Sequence, residues 1–330
     1  MKGKDIIFIS PQRIFNPTSG VESRINNLVK IFSKDNNLTI FAPKQSKTKK
    51  YKNIFFLDYS NKYRKLFDTR IINKTKPLIK NQNIDLIFGT TLWAGINSLI
   101  LSLIIKKPYY FDDHNLEFLR YKRTKSPIWP IIFILEYLII KFSKKTICVS
   151  EKDKSFMIKY FKVKPKKIIV IENPVDKSIF FSNKRIAPKI KKGLGIKNNQ
   201  KMILFFGQLN YIPNIEALKI IKKEILPKLD KIDKNYKLVI CGKGNGNGLL
   251  KNFKHKNVIF KGFVQKIQDY INASDVVIAP LISGSGTRIK ILEALECKTK
   301  VVSTSIGAEG IKRNRLLEVE DDWNKFVKKL

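Results

Sequence analysis

The chain has few cysteines and few acidic residues for its length. Its 330 residues include three Cys and 27 Asp or Glu, against 65 Lys or Arg. The cysteines, Cys148, Cys241 and Cys297, lie far apart and show no metal-ligand spacing. An odd, scattered set argues against a disulfide framework and is typical of a reducing compartment. Because 43% of the residues are hydrophobic, the chain can bury two ordinary cores, and we expect a globular protein of two domains.

Long hydrophobic runs are also absent. The longest, residues 128–140, has 13 residues and includes Glu136, whereas a membrane-spanning helix needs about 20. The N-terminal sequence MKGKDIIFIS enters a strand pattern at once, and its apolar run is too short for the core of a secretory signal. We therefore expect a cytoplasmic protein, either free or peripheral on the inner face of the cell membrane.

The formal net charge of +38 is carried mostly by lysine. Ten of the basic residues are Arg and 55 are Lys, and they are spread over almost every segment. Proteins that read nucleic acids usually concentrate arginine in a patch, and no zinc or RNA-binding motif is present, so we expect no nucleic-acid partner. A positive surface attracts anionic membrane lipids and steers anionic substrates toward the protein.

Strand-like and helix-like stretches alternate along the chain, which is the pattern of parallel α/β sheets. The alternation is interrupted at residues 172–200, which are rich in Lys, Asn, Gly and Pro. We therefore predict two doubly wound, Rossmann-like domains, residues 1–172 and 201–330, with a linker and domain entry at 173–200. Ligands of such sheets bind beyond the carboxyl ends of the strands, so we expect the two domains to face a cleft.

One segment, residues 278–310, follows the pattern strand, glycine-rich turn, helix, strand. The turn covers 283–287, and the predicted helix begins at Arg288. Unpaired N–H groups and the helix dipole make the start of such a helix an anion site. Arg288 and Lys290 in its first turn oppose the dipole unless a stronger anion lies between them. We expect that anion to be a diphosphate.

Two further polar residues stand where α/β enzymes place chemistry. Glu293 lies at the edge of the apolar stripe of the same predicted helix, where its carboxylate could accept two hydrogen bonds from a ribose diol. His114 follows the strand run 108–111 and is one of two histidines in the chain. A lone histidine is more often structural, but this position also favours contact with a substrate.

Six segments together resemble one protein family. They are SGVESRINNL (19–28), FDDHNLEF (111–118), ICVSEKD (147–153), VIENPVD (170–176), ILFFGQLNYIPNIEAL (203–218) and GSGTRIKILEALE with the following VVSTSIGAEGI. In order and spacing they resemble the retaining glycosyltransferases of family 4, which have the GT-B fold of two facing Rossmann-like domains. The resemblance covers nearly the whole chain.

The resemblance implies transfer of a sugar from a nucleoside-diphosphate sugar to a glycan, lipid-linked or surface-polysaccharide acceptor, with retention of configuration. It implies catalytic roles for His114, Arg288 and Lys290, and it places Asn115 and Glu117 on the acceptor side. The donor-binding residues that it implies are Gly20, Gly207, Asn210, Gly262, Val264, Ser285, Gly286, Thr287 and Glu293.

No cofactor is expected besides the nucleotide-sugar substrate. The loop 10–20 lacks the G-x-G-x-x-G fingerprint of dinucleotide sites. The chain also lacks the Asp-x-Asp motif with which GT-A enzymes hold a metal. The sequence therefore favours a metal-independent site.

Three features depart from the family pattern. Ser285 stands where many relatives have Glu, the loop 208–214 lacks their Arg and Lys, and a short predicted helix (322–329) ends the chain without the further helix that crosses back to the first domain. Two alternatives therefore stay open. One is a GT-B-type sugar-nucleotide epimerase, and the other is a catalytically weak nucleotide-sugar binding protein.

Overall fold

The computed structural model describes residues 2–15, 20–43, 53–57, 68–81, 83–246 and 248–330. Within this part the chain divides into two compact units, Met1–Asn173 and Pro174–Leu330. Residues 16–19 of the loop 10–20, and with them the start of the segment 19–28, lie outside the described residues.

The first unit is an α/β layer structure. Its strands are β1 (Asp5–Ile9), β2 (Asn37–Pro43), β3 (Asn53–Leu57), β4 (Leu86–Thr90), β5 (Tyr109–Asp112), β6 (Lys145–Cys148) and β7 (Ile168–Val170). Its helices are α1 (Gly20–Asp35), α2 (Thr69–Asn81), α3 (Thr91–Ile105), α4 (Glu117–Arg123), α5 (Trp129–Phe142) and α6 (Glu151–Phe161). Among the described residues the strands form one sheet in the order β3-β2-β1-β4-β5-β6-β7, and each neighbouring pair is parallel.

The second unit repeats this plan. Its strands are β8 (Lys201–Phe206), β9 (Tyr236–Cys241), β10 (Val258–Gly262), β11 (Val276–Ala279), β12 (Lys300–Ser303) and β13 (Leu317–Val319). Its helices are α7 (Ala187–Gly193), α8 (Ile212–Ile220), α9 (Leu226–Ile232), α10 (Ile267–Ala273), α11 (Ile289–Glu296) and α12 (Trp323–Lys328), and a π-helical segment, Ile221–Ile225, joins α8 to α9. In the described part the strand order is β10-β9-β8-β11-β12-β13, again with parallel pairs.

The central strands are apolar throughout because helices cover both faces of each sheet. In β1, Ile7 and Ile9 belong to the cluster that contains the apolar residues of α3 and α5. Ile6 and Phe8, which point the other way, belong to the cluster that contains the apolar residues of α1. This double burial leaves the loops at the carboxyl ends of the strands to carry polar chemistry.

The predicted fold of two parallel α/β sheets is confirmed. One predicted helix start lies too early, because α11 begins at Ile289 with Arg288 as its N-cap residue. The pattern also misses α2, which contains Pro77 and many Lys, Asn and Thr residues, and the short α4, α7 and β13. Across the described residues, every helix is too short or too polar to cross a bilayer.

Candidate functional site

The glycine-rich turn between β11 and α11 has a backbone that only glycine adopts easily at two positions. Gly284 and Gly286 have φ of +96° and +73°. A Cβ on Gly284 would lie 2.9 Å from Nη2 of Arg288, so the guanidinium packs directly on this residue. The hydroxyl of Ser283 donates to the carboxylate of Glu216 on α8 and holds the turn to that helix.

The Arg288 guanidinium bends back over the turn. It donates to the backbone carbonyls of Ser285 and Gly286, and its Nη2 lies 3.4 Å from the carbonyl oxygen of Ser283. These carbonyl oxygens therefore face the Arg288 guanidinium. The same positive charge would attract an anion that binds beside the turn. The Oγ1 atom of Thr287, the next residue toward the helix, is buried without a hydrogen-bond partner among the described residues.

Lys290 lies on the first turn of α11 and reaches the end of β8. Its Nζ donates to Oδ1 of Asn214 at 2.8 Å and lies 4.7 Å from the centre of the Phe205 ring. A Cβ on Gly207 would come within 3.2 Å of the same Nζ, so Gly207 leaves room for the ammonium. Burial, followed by repulsion from Arg288, lowers the pKa of Lys290 to about 7.

Glu293 lies one turn further along α11. Burial raises the pKa of its carboxyl to about 7, although the nearby Lys290 opposes the rise. No hydrogen-bond donor from the described residues reaches its carboxylate, so both oxygens are available to a ligand. A carboxyl group and a lysine whose pKa values both lie near 7 are typical of a site that binds charged ligands.

The other predicted donor residues line the carboxyl edge of the same sheet. Gly207 follows β8, and Gly242 follows β9. A Cβ on Gly242 would lie 1.8 Å from the carbonyl oxygen of Gly207. Gly262 ends β10 with φ +72°, and a Cβ at this position would meet no atom within 4 Å. Asn210 is committed to the fold, because its Oδ1 accepts from the backbone N–H of Asn245 at 3.1 Å.

Val264 is half-buried and packs on the apolar cluster beneath β8 and β9. Its side chain therefore has a structural contact, and only its backbone is left for a ligand. The structure thus brings Gly207, Lys290 and the turn 283–288 together, while Asn210 and Val264 act as supports. Sequence reasoning missed Asn214 and Glu216, which hold Lys290 and Ser283, because neither residue type is conspicuous in a helix.

In the first unit, His114 follows β5 and is buried. Its Nε2 lies 2.6 Å from Oδ2 of Asp112 as an ion-pair contact, and neither ring nitrogen forms a hydrogen bond of normal geometry with a described residue. Asp112 also accepts two hydrogen bonds from Arg24 of α1. Nε of Arg24 lies 3.1 Å from Oδ2 of Asp112, and Nη2 lies 2.6 Å from Oδ1. Burial alone would raise the pKa of Asp112, but the charges of Arg24 and His114 lower it well below its ordinary value.

The two residues predicted on the acceptor side contact each other. Nδ2 of Asn115 donates to Glu117 at 2.9 Å, and the Glu117 carboxylate also pairs with Arg120 on the next turn of α4. Both side chains are partly exposed, and these contacts hold them at the start of α4. Gly20 is the first residue of α1, directly after the segment that is not described.

A buried acidic group lies below this loop. Glu136 of α5 accepts from the backbone N–H groups of Glu117 and Phe118 at 2.8 and 3.1 Å, and burial raises its pKa to about 8. Neither carboxylate oxygen of Asp113 has a hydrogen-bond partner in the described part of the chain. Burial, followed by the charges of Glu136 and Asp153, raises its pKa well above the ordinary range.

Two family models match the chain. The model described as "Glycosyltransferase Family 4" matches residues 18–178, and the model described as "Glycosyl transferases group 1" matches residues 200–330. Together they cover both structural units.

Two curated relatives and one solved structure illustrate the similarity. The chain is 31% identical over 227 residues to an uncharacterized glycosyltransferase of Methanocaldococcus jannaschii, covering 66% of this chain and 56% of that protein. It is 29% identical over 235 residues to an Escherichia coli UDP-Gal:alpha-D-GlcNAc-diphosphoundecaprenol alpha-1,3-galactosyltransferase, covering 66% and 57%. The matches therefore span little more than half the length of these relatives. The structure of Anabaena HepE in complex with UDP and glucose superposes with a TM-score of 0.73 at 16% identity, covering 98% of this chain and 88% of that one.

Proposed function

The chain belongs to the glycosyltransferases of group 1 and family 4, and from this we propose that it transfers a sugar from a nucleoside-diphosphate sugar to a glycan or lipid-linked acceptor. The donor side of the proposal rests mainly on the surroundings of Lys290. A buried ammonium with a lowered pKa, beside a glycine turn that carries an unpartnered buried hydroxyl, is costly without a ligand. A diphosphate would stabilise both groups.

The chemistry follows from where charge appears. When the bond between the anomeric carbon and the phosphate oxygen breaks, negative charge develops on the β-phosphate, and a catalyst must stabilise that charge. We assign this role to Lys290, to the first N–H groups of α11 and to the positive field of Arg288, and we assign the ribose to Glu293. For His114 we propose a catalytic role, as the family resemblance implies. We propose retention of configuration, which the family resemblance implies. We also propose no metal requirement, because Arg288 and Lys290 already stand where a metal would act.

The names of two similar proteins suggest the substrate class to test first. The E. coli relative is named for transfer from UDP-galactose to a diphospholipid-linked sugar, and HepE was solved with UDP and glucose. We therefore propose a uridine-diphosphate hexose as donor and a sugar linked to a lipid diphosphate, or a growing polysaccharide, as acceptor.

The test is a panel of nucleoside-diphosphate sugars, first by thermal shift and then by product analysis. Sugar transfer or slow donor hydrolysis is expected, and Lys290→Met should abolish either one, whereas Lys219→Met at an exposed position of α8 should not. An epimerised nucleotide sugar would instead indicate the epimerase, and donor binding without turnover would indicate a binding protein.

A lipid-linked acceptor would require contact with a membrane surface, and the first unit has a suitable one. Seven lysines line a cavity of about 400 Å³ beside the C-terminal ends of α5 and α6, namely Lys141, Lys144, Lys145, Lys162, Lys164, Lys166 and Lys167. On the same helix α5, Ile131, Ile134 and Phe142 are all more than half exposed. Exposed apolar side chains bordered by lysines fit an anionic lipid surface.

Vesicle flotation tests this contact. The chain should bind vesicles that contain anionic phosphatidylglycerol and should not bind pure phosphatidylcholine vesicles. Lys164→Gln with Lys166→Gln should weaken binding at least about fivefold, since each lysine near such a surface contributes about 1 kcal/mol. The control, Lys189→Gln with Lys192→Gln on α7, removes the same charge elsewhere. Equal binding by the two double variants would contradict the assignment.

A further inference from the structure

Arg24, Asp112 and His114 form a connected, buried group in the first unit. Arg24 and Asp112 have side chains exposed by 3% and 0%, and the His114 side chain is exposed by 4%. A bidentate arginine–carboxylate pair fixes both partners in orientation as well as in distance. Asp112 therefore cannot swing away from the imidazole without breaking its contacts to Arg24.

Arg24 is itself held by a third strand end. Its Nη1 donates to the backbone carbonyl of Ile171 at 2.8 Å and to Oδ1 of Asn173 at 3.1 Å. The guanidinium thus joins α1, the end of β5 and the segment after β7. Because Arg24 lies in the first turns of α1, this one side chain also fixes the start of α1 relative to His114.

The surroundings of the imidazole favour one position for its proton. Neither ring nitrogen forms a hydrogen bond of normal geometry with a described residue, but Nε2 lies 2.6 Å from Oδ2 of Asp112. An ionised carboxylate can only accept and would repel a ring lone pair, so this contact favours a proton on Nε2. Nδ1 is buried and has no ion-pair contact among the described residues, which leaves it for a substrate group.

We infer that Arg24 and Asp112 are positioning residues that hold His114 with Nε2 protonated and Nδ1 presented to a substrate group. The inference rests on the proposed role of His114 in the transfer reaction. Arg24 and Asp112 do not touch substrate in this account, and they act only through the orientation and tautomer of the imidazole.

The chain is well suited to a direct test because it has only two histidines, His114 and His255. Two-bond ¹H–¹⁵N correlation spectra of protein labelled with ¹⁵N-histidine at pH 8 should show Nε2 of His114 protonated, whether or not Nδ1 carries a proton as well. His255 is an internal reference, since its Nε2 lies 2.9 Å from Asp230 and its Nδ1 accepts from the N–H of Asn257. A His114 ring protonated at Nδ1 alone would overturn the inference without any variant.

Asp112→Asn tests the link to catalysis. The asparagine amide can donate to Nε2, so the proton should move to Nδ1 in the His114 spectrum. The value of kcat should fall at least about tenfold, with the donor KM changed much less, because an interaction made only in the transition state affects kcat and not ground-state binding. Arg24→Lys keeps the charge but loses the bidentate contact with Asp112. It should lower kcat by a smaller factor and leave Nε2 protonated.

Asp230→Asn is the matched control, since it alters the partner of His255 in the same chemical way. It should change the His255 spectrum and leave kcat unchanged. Wild-type kcat in Asp112→Asn, or an unaltered His114 spectrum, would refute the positioning role. If the wild-type protein transferred no sugar at all, the proposed function would fail, while the spectra would still decide whether the pair fixes the tautomer.

Discussion

Binding of a nucleoside diphosphate should be accompanied by proton uptake, and Lys290 is the reason. In the ligand-free structure burial lowers the pKa of this lysine to about 7, so at pH 8 only about one molecule in ten carries the ammonium charge. An opposite charge within a few ångströms favours the charged form. A diphosphate at the glycine turn should therefore return the lysine to its protonated state.

The expected magnitude is about 0.9 proton taken up by Lys290 per nucleotide at pH 8. Glu293 contributes little at this pH. With a pKa of about 7 it is already mostly ionised there, and hydrogen bonds from a ribose could release only about 0.1 proton more. The uptake at pH 8 therefore reports Lys290 almost alone.

Isothermal titration of UDP in two buffers with different ionisation enthalpies measures this uptake. Wild type and Glu293→Gln should both show a buffer-dependent enthalpy that corresponds to nearly one proton, and Lys290→Met should show none. Tight binding with no buffer dependence in the wild type at pH 8 would refute the idea that the diphosphate lies beside Lys290.

Three further predictions concern the ribose, the buried acids and the core. Glu293→Ala should weaken nucleoside-diphosphate binding by about 2 kcal/mol, whereas binding of inorganic diphosphate should be unchanged, and equal losses for both ligands would argue against a ribose contact. Burial raises the pKa of Asp113 well above its ordinary value, so the folded chain holds this proton to a higher pH than the unfolded chain, and the contribution of Asp113 to stability falls as the pH rises; in urea titrations, Asp113→Asn should lose less unfolding free energy between pH 5 and pH 8 than the wild type does. An unchanged decline would mean that the carboxyl is ionised in the fold. Gly95→Ala should destabilise the first unit by about 1–3 kcal/mol, because its Cβ would lie 2.7 Å from the Phe111 ring, and Gly193→Ala, with nothing within 4 Å, should cost nothing.

The fold was largely predictable from the sequence because its signals are local. Each central strand is a continuous apolar run, such as Ile6–Ile9, and the helices between the strands bury apolar faces at helical spacing. Where the signal failed, composition explains why. Helix α2 contains a proline and few apolar residues, so its pattern resembles that of a polar loop.

The candidate site was predictable only where its residues are neighbours in the chain. The turn 283–288 and Lys290 could be read together because they form one short segment. Asn214, which holds the Lys290 ammonium, is 76 residues away, and Arg24 is 88 residues from Asp112. No spacing rule connects such residues, since only the order of strands in the sheets brings them together.

The position of Arg288 shows a second limit of pattern reading. Its place beside a glycine turn suggested a side chain directed at an anion, but the folded guanidinium donates to carbonyls of its own turn. The resulting field is still positive, whereas Lys290 donates to the side chain of Asn214 and not to the turn. Sequence alone cannot distinguish these arrangements, because both need the same residues.

A crystal structure of the chain with a bound nucleoside diphosphate tests the account most directly. We predict a β-phosphate oxygen within about 3.2 Å of Lys290 Nζ and of backbone N–H groups in the turn 284–288, with both ribose hydroxyls on Glu293. A nucleotide bound elsewhere, with the turn empty and Glu293 without a ligand, would contradict it.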